Sequence, residues 1–440
     1  MTGLPATTTA ATGRGAERMN HRLNPIDEVF LSMGRTGDQV NLTHGQFLRF
    51  QGETPPLSDL RDHLTERLSA LPGLTHRMTP ARGRRPRREP VPGFDPAAHL
   101  REKEFPPATP LDTVLTALAR EPLPEDAPLW SLHLVHGYAD GEFAVCYRVH
   151  HSAEDGMGAS HIVSALFGDP CLEGGRRDTA GPRPLISGSA RELARGTVSV
   201  STGLARALMP ARPWPRAPRP RPERLGVTVT DATWNELRQL SRRFGATLND
   251  AFLMTLWKAL DAWAADGDQD VRSRFRTAPV PVRMPLSTRR PGEDALLGNH
   301  LTTAVVALPA RGTPLDVAFG QLAGRTRRMR AHGLRPASRA LVGILPAPLT
   351  RWTVRRLLSP RASPLYASNF SLPTALSFRG APVIDATPLG VLLPGNALSV
   401  TLLSYGQRVR VGFLYDRALP DAERLAGLWR EALDTLSAPA

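Results

Sequence analysis

Phe143-Ala-Val-Cys-Tyr-Arg-Val-His-His-Ser-Ala-Glu-Asp-Gly-Met-Gly158 changes its period halfway along. Phe143, Val145, Tyr147 and Val149 alternate with Ala144, Cys146, Arg148 and His150, the repeat of a half-buried strand. Gly156 and Gly158 break that strand, and Ala159 to Phe167 resumes as a short helix. A histidine pair therefore stands where a strand turns tightly into a helix, a place at which a fold can hold a side chain rigidly and expose its tip. Just upstream, Leu129 to Gly137 reads as a strand and Gly137 to Gly141 as a turn, which makes Glu142 to His150 the second strand of a hairpin.

Within the turn, His151 and Asp155 are four residues apart, so the carboxylate can close the turn while the imidazole faces outward. Histidine titrates near neutrality and can take a proton from an alcohol and return it to a leaving thiolate. Ser152 lies beside it but lacks the Gly-x-Ser-x-Gly elbow of serine hydrolases, so no covalent enzyme intermediate is required. Adjacent histidines on a strand point to opposite faces, which is awkward for a shared ion, and no metal is expected.

Around this turn the chain divides into two mixed α/β halves. Residues 1–20 are small and polar and read as a disordered lead, and residues 21–168 form a first lobe. In that lobe Leu60, Leu64, Leu68 and Leu71 have amphipathic helical spacing, and Leu111 to Ala119 gives a shorter helix. Residues 169–223 dissolve into Gly, Pro and Arg and read as a crossover linker, with one short helix near Ala190 to Leu208. The second lobe, 224–440, opens with a strand at Leu225 to Val229 and a helix from Thr230 or Asp231, closed by Gly245. Another helix begins at Thr247. Strands at Ala278 to Met284 and Leu301 to Leu308, helix between Pro314 and Leu358, a hairpin turning near Gly406 and a last helix from Asp421 follow.

At 440 residues a sizeable core is available, and no apolar run reaches the roughly 18 residues that suggest a spanning helix. With no apolar segment in the lead to serve as a signal, a cytoplasmic location is expected. Cys146 and Cys171 form no CxxC pair, so neither a disulfide framework nor a zinc site is expected. The formal charge is +14, but Lys103 and Lys258 are the only lysines, which suggests a coding bias towards arginine as much as a binding surface. No nucleic-acid partner is expected. Arginines beside Trp352 and Leu357, and others in the crossover near Leu204, Leu208 and Trp214, suit peripheral contact with an anionic lipid surface.

His150-His151-Ser152-Ala153-Glu154-Asp155-Gly156 matches the HHxxxDG signature of the chloramphenicol-acetyltransferase-like superfamily. Further segments resemble its wax ester synthase/diacylglycerol acyltransferase branch, in the same order and spacing: Leu23-Asn-Pro-Ile-Asp-Glu-Val-Phe30, Pro128-Leu-Trp130, Thr247-Leu-Asn-Asp250, Gly298-Asn-His300, and Ser368-Asn369 before Pro373. The resemblance implies two chloramphenicol-acetyltransferase-like α/β lobes with an active-site tunnel between them. It implies His151 as general base, a structural Asp155, a Gly156 that permits the tight backbone, and a His150 that packs or orients. Asn249, Ser368 and Asn369 become candidates for the substrate pocket or for oxyanion donors, with Arg283 as an ion-pair partner for Asp155, whereas Trp130 reads as core.

The implied reaction moves an acyl group from an acyl thioester, acyl-CoA or an acyl carrier protein, to a hydroxylated acceptor such as a long-chain alcohol or diacylglycerol, with no cofactor. Two departures stand out: Phe-Ser-Leu-Pro follows Ser368-Asn369 where the family has Val-Pro-Gly-Pro, and Glu154 stands where it usually has an apolar residue. They leave open a second reading, the same chemistry on a specialised-metabolite acceptor. A third, a non-catalytic binding protein, is opposed by the intact His151 and Asp155.

Overall fold

The computed structural model describes residues 22–34, 42–79, 85–124, 126–168, 190–208, 221–265, 279–331, 333–360, 362–373 and 375–438. The lead, most of the crossover, Trp214 and the start of the strand expected from Ala278 lie outside them. In chain order the first part contains α1 (Pro25–Gly34), β1 (Thr43–Gln51), α2 (Leu57–Arg67), β2 (His76–Thr79), β3 (Arg87–Pro90), β4 (Leu100–Glu104), α3 (Leu111–Arg120), β5 (Trp130–His136), β6 (Glu142–His150) and α4 (Gly156–Phe167). The crossover contributes α5 (Ala190–Leu208). There follow β7 (Leu225–Thr233), α6 (Trp234–Arg243), α7 (Leu248–Ala265), β8 (Pro281–Ser287), β9 (Leu301–Ala307), α8 (Leu315–Ala331), α9 (Leu334–Ile344) and α10 (Ala347–Leu357). The chain ends with β10 (Leu365–Leu372), β11 (Ser377–Phe378), β12 (Ala381–Leu389), β13 (Leu398–Tyr405), β14 (Arg408–Asp416) and α11 (Leu425–Ser437).

Two six-stranded sheets carry the architecture, in the orders β11-β12-β1-β6-β5-β4 and β7-β14-β13-β10-β8-β9, beside a small β2-β3 ribbon. In the first sheet, β5 and β6 form the expected hairpin, and β1 runs antiparallel to β6 so that Thr43 faces His150. The histidine pair therefore leaves the middle of a sheet rather than an edge. Strand pairing also crosses the sequence boundary between the lobes, because β12 pairs antiparallel with β1, Gly45 opposite Leu389. Phe378 of β11 enters the aromatic cluster of Phe50, Phe143 and Phe167 in the first lobe. Trp263, Trp429, Phe252 and Phe413 fill the second core.

The second sheet keeps its β7 edge covered. Asp112 and Thr116 of α3 accept from the backbone N–H groups of Val229 and Val227 at 3.0 Å each, and Arg120 donates to the Leu225 carbonyl at 2.6 Å. Side chains of the first lobe thus occupy the hydrogen-bonding edge that an exposed strand would leave open. At the other end, β10 pairs with β8 only at Leu365–Val282 and Tyr366–Arg283. Past that point, Phe370 lies against the start of α4, 3.9 Å from where a Cβ on Gly156 would fall.

Some boundaries differ from the sequence reading. The strand opening the second lobe runs through Thr233, since pairing with β14 continues to Arg408, and α6 starts only at Trp234. Thr233 and Glu236 close a reciprocal capping box there. Ser368 and Asn369, to which the sequence assigned no element, lie on a strand, β10. Because β12 completes the first sheet, a chain cut at residue 223 leaves β1 with an open apolar edge. Such a fragment is expected to elute as aggregate in size-exclusion chromatography, where the full chain elutes as a folded species.

Candidate active site

β6 ends at His150, and the turn that follows is fastened at both ends. The His151 N–H donates to the Leu42 carbonyl at 2.8 Å, and Asp155 caps α4 by accepting from the Gly158 N–H at 2.9 Å. Within the turn His151 is buried, with its ring stacked on Phe30 of α1 at 4.1 Å between centroids. His44 of β1 lies 4.9 Å away, tilted, its Nε2 donating to the Glu154 carbonyl at 2.9 Å.

The protonation of His151 follows from its partner. Asn299 donates from Nδ2 to the Asp27 carboxylate at 2.8 Å and to the His151 carbonyl at 2.6 Å, so its Oδ1 is the atom left facing His151 Nδ1, 2.9 Å away. An amide oxygen only accepts, so Nδ1 carries the proton and Nε2 keeps its lone pair. Nε2 bonds no described residue. Burial holds the imidazole below its ordinary pKa, which keeps it neutral near pH 7. His150 stands apart: its Nδ1 accepts from the Ser152 N–H at 3.1 Å and meets Ser152 Oγ at 2.7 Å, while its Nε2 points at Gly34.

Asp155 holds the turn to the second lobe. Arg289 donates from Nη1 to both of its oxygens, at 2.7 and 2.5 Å, and from Nη2 to the carbonyls of Leu296 and Gly298 at 3.0 Å. The His300 N–H adds a bond at 2.9 Å. Burial alone would raise the Asp155 pKa, but Arg289 and these donors hold it below the ordinary carboxylate value. Arg283 is not the partner anticipated from sequence. It donates to the carbonyls of Leu358 and Ser359, satisfying the C-terminal end of α10.

Two further carboxyl groups share the seam. Asp27 takes the Asn299 N–H and Nδ2–H, each at 2.8 Å, with Arg88 at 3.5 Å, and burial pushes its pKa up to about 6. Glu154 is buried too, and no described residue hydrogen-bonds its carboxyl, whose pKa is pushed up to about 8 by burial. Glycine is required at Gly298, which has φ of +86° and where a Cβ would fall 2.5 Å from Asp27 Oδ2. Gly156 has no such requirement: its φ is not positive and a Cβ there would meet Phe370 at ordinary contact distance, so the tight backbone does not rest on it.

The structure thus gathers His151, Asp155 and the Gly298–His300 segment. It places Asn249, Ser368 and Asn369 in two separate polar pairs, because successive residues of β10 face opposite ways: Asn369 donates to Asn249 at 2.6 Å and Ser368 to Thr401 at 3.1 Å, with no described contact to His151. Trp130 is core, its indole N–H donating to the Leu74 carbonyl at 2.8 Å. Sequence reasoning left Asn299, Asp27 and Arg289 without roles. The first two lie inside segments that resemble the family, and that resemblance was the available signal. Among the described residues no cluster of His, Cys, Asp and Glu could hold a metal ion.

Two sheet-and-helix lobes joined at a histidine turn define a chloramphenicol-acetyltransferase-like fold, which solved structures share. The wax ester synthase/diacylglycerol acyltransferase from Marinobacter aquaeolei VT8 superposes with a TM-score of 0.64 at 20% identity, over 94% of this chain and 98% of that one. The starter condensation domain of rhizomide synthetase, solved with C8-CoA, gives 0.61 at 17% identity over 95% and 94%. In sequence, the Mycobacterium tuberculosis protein named "Probable diacyglycerol O-acyltransferase tgs1" is 25% identical over 93% of this chain and 94% of its own length. The sequence model of the wax ester synthase/diacylglycerol acyltransferase catalytic domain matches residues 23–208, and that of the WS/DGAT C-terminal domain residues 297–437. The chain belongs to the wax ester synthase/diacylglycerol acyltransferase family and is an acyltransferase.

Two measurements probe this seam. Asp155→Asn breaks a buried ion pair and should cost about 3–5 kcal/mol in denaturant unfolding; an inactive variant of unchanged stability would instead give Asp155 a direct part in the chemistry. Glu154 keeps its proton in the folded state up to about pH 8, whereas in the unfolded chain it loses it near 4.5. The folded state binds more protons in that window, so this group lowers stability as pH rises from 4.5 to 8. Glu154→Gln should raise the melting temperature at pH 8 and show little gain at pH 4.5.

Proposed function

We propose that the chain is an O-acyltransferase in which His151 is the general base, taking an acyl group from acyl-CoA to the hydroxyl of a long-chain alcohol or diacylglycerol. The observation that carries this reading is the Nδ1 contact to Asn299 Oδ1 at 2.9 Å, which leaves a neutral imidazole with Nε2 free. Nε2 takes the acceptor's hydroxyl proton as its oxygen attacks the thioester carbonyl carbon. When the tetrahedral intermediate collapses, the C–S bond breaks and the thiolate recovers that proton from Nε2. The ester and a free thiol leave together, and the histidine ends as it began.

Asp27 and Asn299 act as positioning residues that fix the tautomer. Asp155 fixes the turn, its negative charge also favouring the transient imidazolium. His150 is a packing group. Asn249, Ser368 and Asn369 line the acceptor side on this reading, at the stretch of β10 that lies beside α4. The C8-CoA bound to the condensation-domain neighbour supports a thioester donor. A second reading, in which an acyl group on coenzyme A or a carrier protein goes to a specialised metabolite, is favoured by the departure from the family's loop at Ser371 and Leu372. Among the described residues no helix is long and apolar enough to cross a membrane, so contact with an anionic lipid surface is proposed as peripheral.

The decisive test is thiol release from acyl-CoA with a panel of alcohols that includes diacylglycerol. His151→Ala should lose about 10²- to 10⁴-fold in rate with its fold intact by circular dichroism. His150→Ala should keep measurable turnover. Equal losses in the two variants would refute the separate roles given to the two rings.

A further inference from the structure

A cavity of about 70 Å³ lies beneath the layer that α5, α9 and α10 lay over α1 and β9. Its walls are largely hydrocarbon, with Ile26 from α1, Val200 from α5, Leu301 from β9, Val342 from α9, and Val354 and Leu357 from α10. Three of the five hydroxyl-bearing residues in its lining are already engaged: Thr302 and Ser338 bond each other at 2.8 Å, and Thr350 donates to the Pro346 carbonyl at 3.3 Å. A largely hydrocarbon space several times larger than the roughly 10–15 Å³ one water needs suits an alkyl chain better than solvent.

The cavity is close to the chemistry. Ile26 and Phe30 are four residues apart on α1 and share a face, about 5–6 Å between Cβ atoms, and Phe30 is the ring stacked on His151. Leu301 comes two residues after Asn299. A molecule reacting at Nε2 could thus lay its tail along α1 into this space.

The outside of the same layer is built for a lipid surface. Val198 of α5, Ile344 of α9, and Leu349 and Trp352 of α10 are 65%, 62%, 46% and 40% exposed. The three helices carry eight arginines (191, 195, 206, 335, 339, 351, 355, 356) and one acidic residue, Glu192. Arg356 lies over the Trp352 ring at 5.7 Å. On α10 the faces divide, with Leu349 and Trp352 outward and Thr353, Val354 and Leu357 towards the cavity. Arg339 and Arg351 pair with Glu293 and Glu28, and the remaining arginines still outnumber the acidic groups of the layer; exposed apolar side chains in such a basic setting match an anionic bilayer surface.

We infer that this cavity seats the alkyl chain of the acceptor, delivered from an anionic bilayer on which α5, α9 and α10 rest. The acceptor is the substrate that needs such a port, because a coenzyme A ester arrives through water while a long-chain alcohol must be collected from lipid. The inference rests on the ester-forming reading of His151.

The test uses the full chain with vesicles of phosphatidylcholine containing one third phosphatidylglycerol and a hexadecanol that bears a terminal photoreactive diazirine. After irradiation, peptides from α5, α9 and α10 should carry the label. Thr353→Trp, which fills the cavity, should reduce labelling several-fold. Trp352→Glu alters only the outer face and should make the protein leave the vesicles at lower salt than the wild type. Label confined to other segments, or labelling and vesicle binding unchanged in both variants, would overturn the inference. Thiol release with 1-butanol, supplied in water, is read in parallel on the wild type. Its absence would mean that the ester-forming reading itself has failed, whereas its presence with the label elsewhere removes the cavity and port alone.

Discussion

The carboxamide of Asn299 joins three segments far apart in the chain. It accepts from the imidazole of His151, donates to the carbonyl of that same residue, and donates to Asp27 at the start of α1. Every other feature of the site depends on that arrangement, because an amide whose donors are both committed can offer the histidine only its oxygen. The ring is thereby held in one tautomer and one orientation without a carboxylate touching it. A neutral partner also leaves the imidazole pKa to be set by burial, which keeps it unprotonated and available as a base.

Holding this amide in place requires a buried electrostatic seam between the lobes. Asp27, Glu154 and Asp155 face Arg88 and Arg289, three carboxyl groups against two guanidinium groups. Buried charge is tolerated only when paired, and the pairing divides accordingly. Asp155, with Arg289 and two backbone donors, stays ionised, while Glu154, whose carboxyl has no hydrogen bond among the described residues, keeps its proton near neutrality. The Arg289 that fixes Asp155 also fastens the loop before Asn299, so the turn of the first lobe and the asparagine of the second are set by one side chain. Gly298 lets the two backbones approach closely enough for this.

The lobes are also interlocked through their sheets. β12, from the end of the chain, completes the sheet that carries the histidine turn, and α3 of the first lobe covers the edge of the second sheet at β7. A site at the seam of two such lobes is held from both sides, so the His151 ring is fixed by contacts from each of them. The helical layer of α5, α9 and α10 packs over α1 and β9, so the helix whose Phe30 stacks on His151 also walls the apolar cavity.

Local pattern was enough to read the β5–β6 hairpin, the histidine turn, α2, α3, the helix in the crossover and the hairpin turning at Gly406, because in each the hydrophobic period or a turn residue is written in consecutive positions. The family motif singled out His151 and Asp155 on the same basis. β1 and β12 were not legible: Thr43–Gln51 mixes His, Gly, Gln and Arg into a buried strand, and Ala381–Leu389 contains two prolines that argue against an inner strand. Their conformation comes from pairing with each other. The choice of Arg289 over Arg283, and the parts played by Asn299 and Asp27, rest on contacts across as many as 272 residues of chain. Such contacts leave no local period, so only the packing of one lobe on the other could decide them.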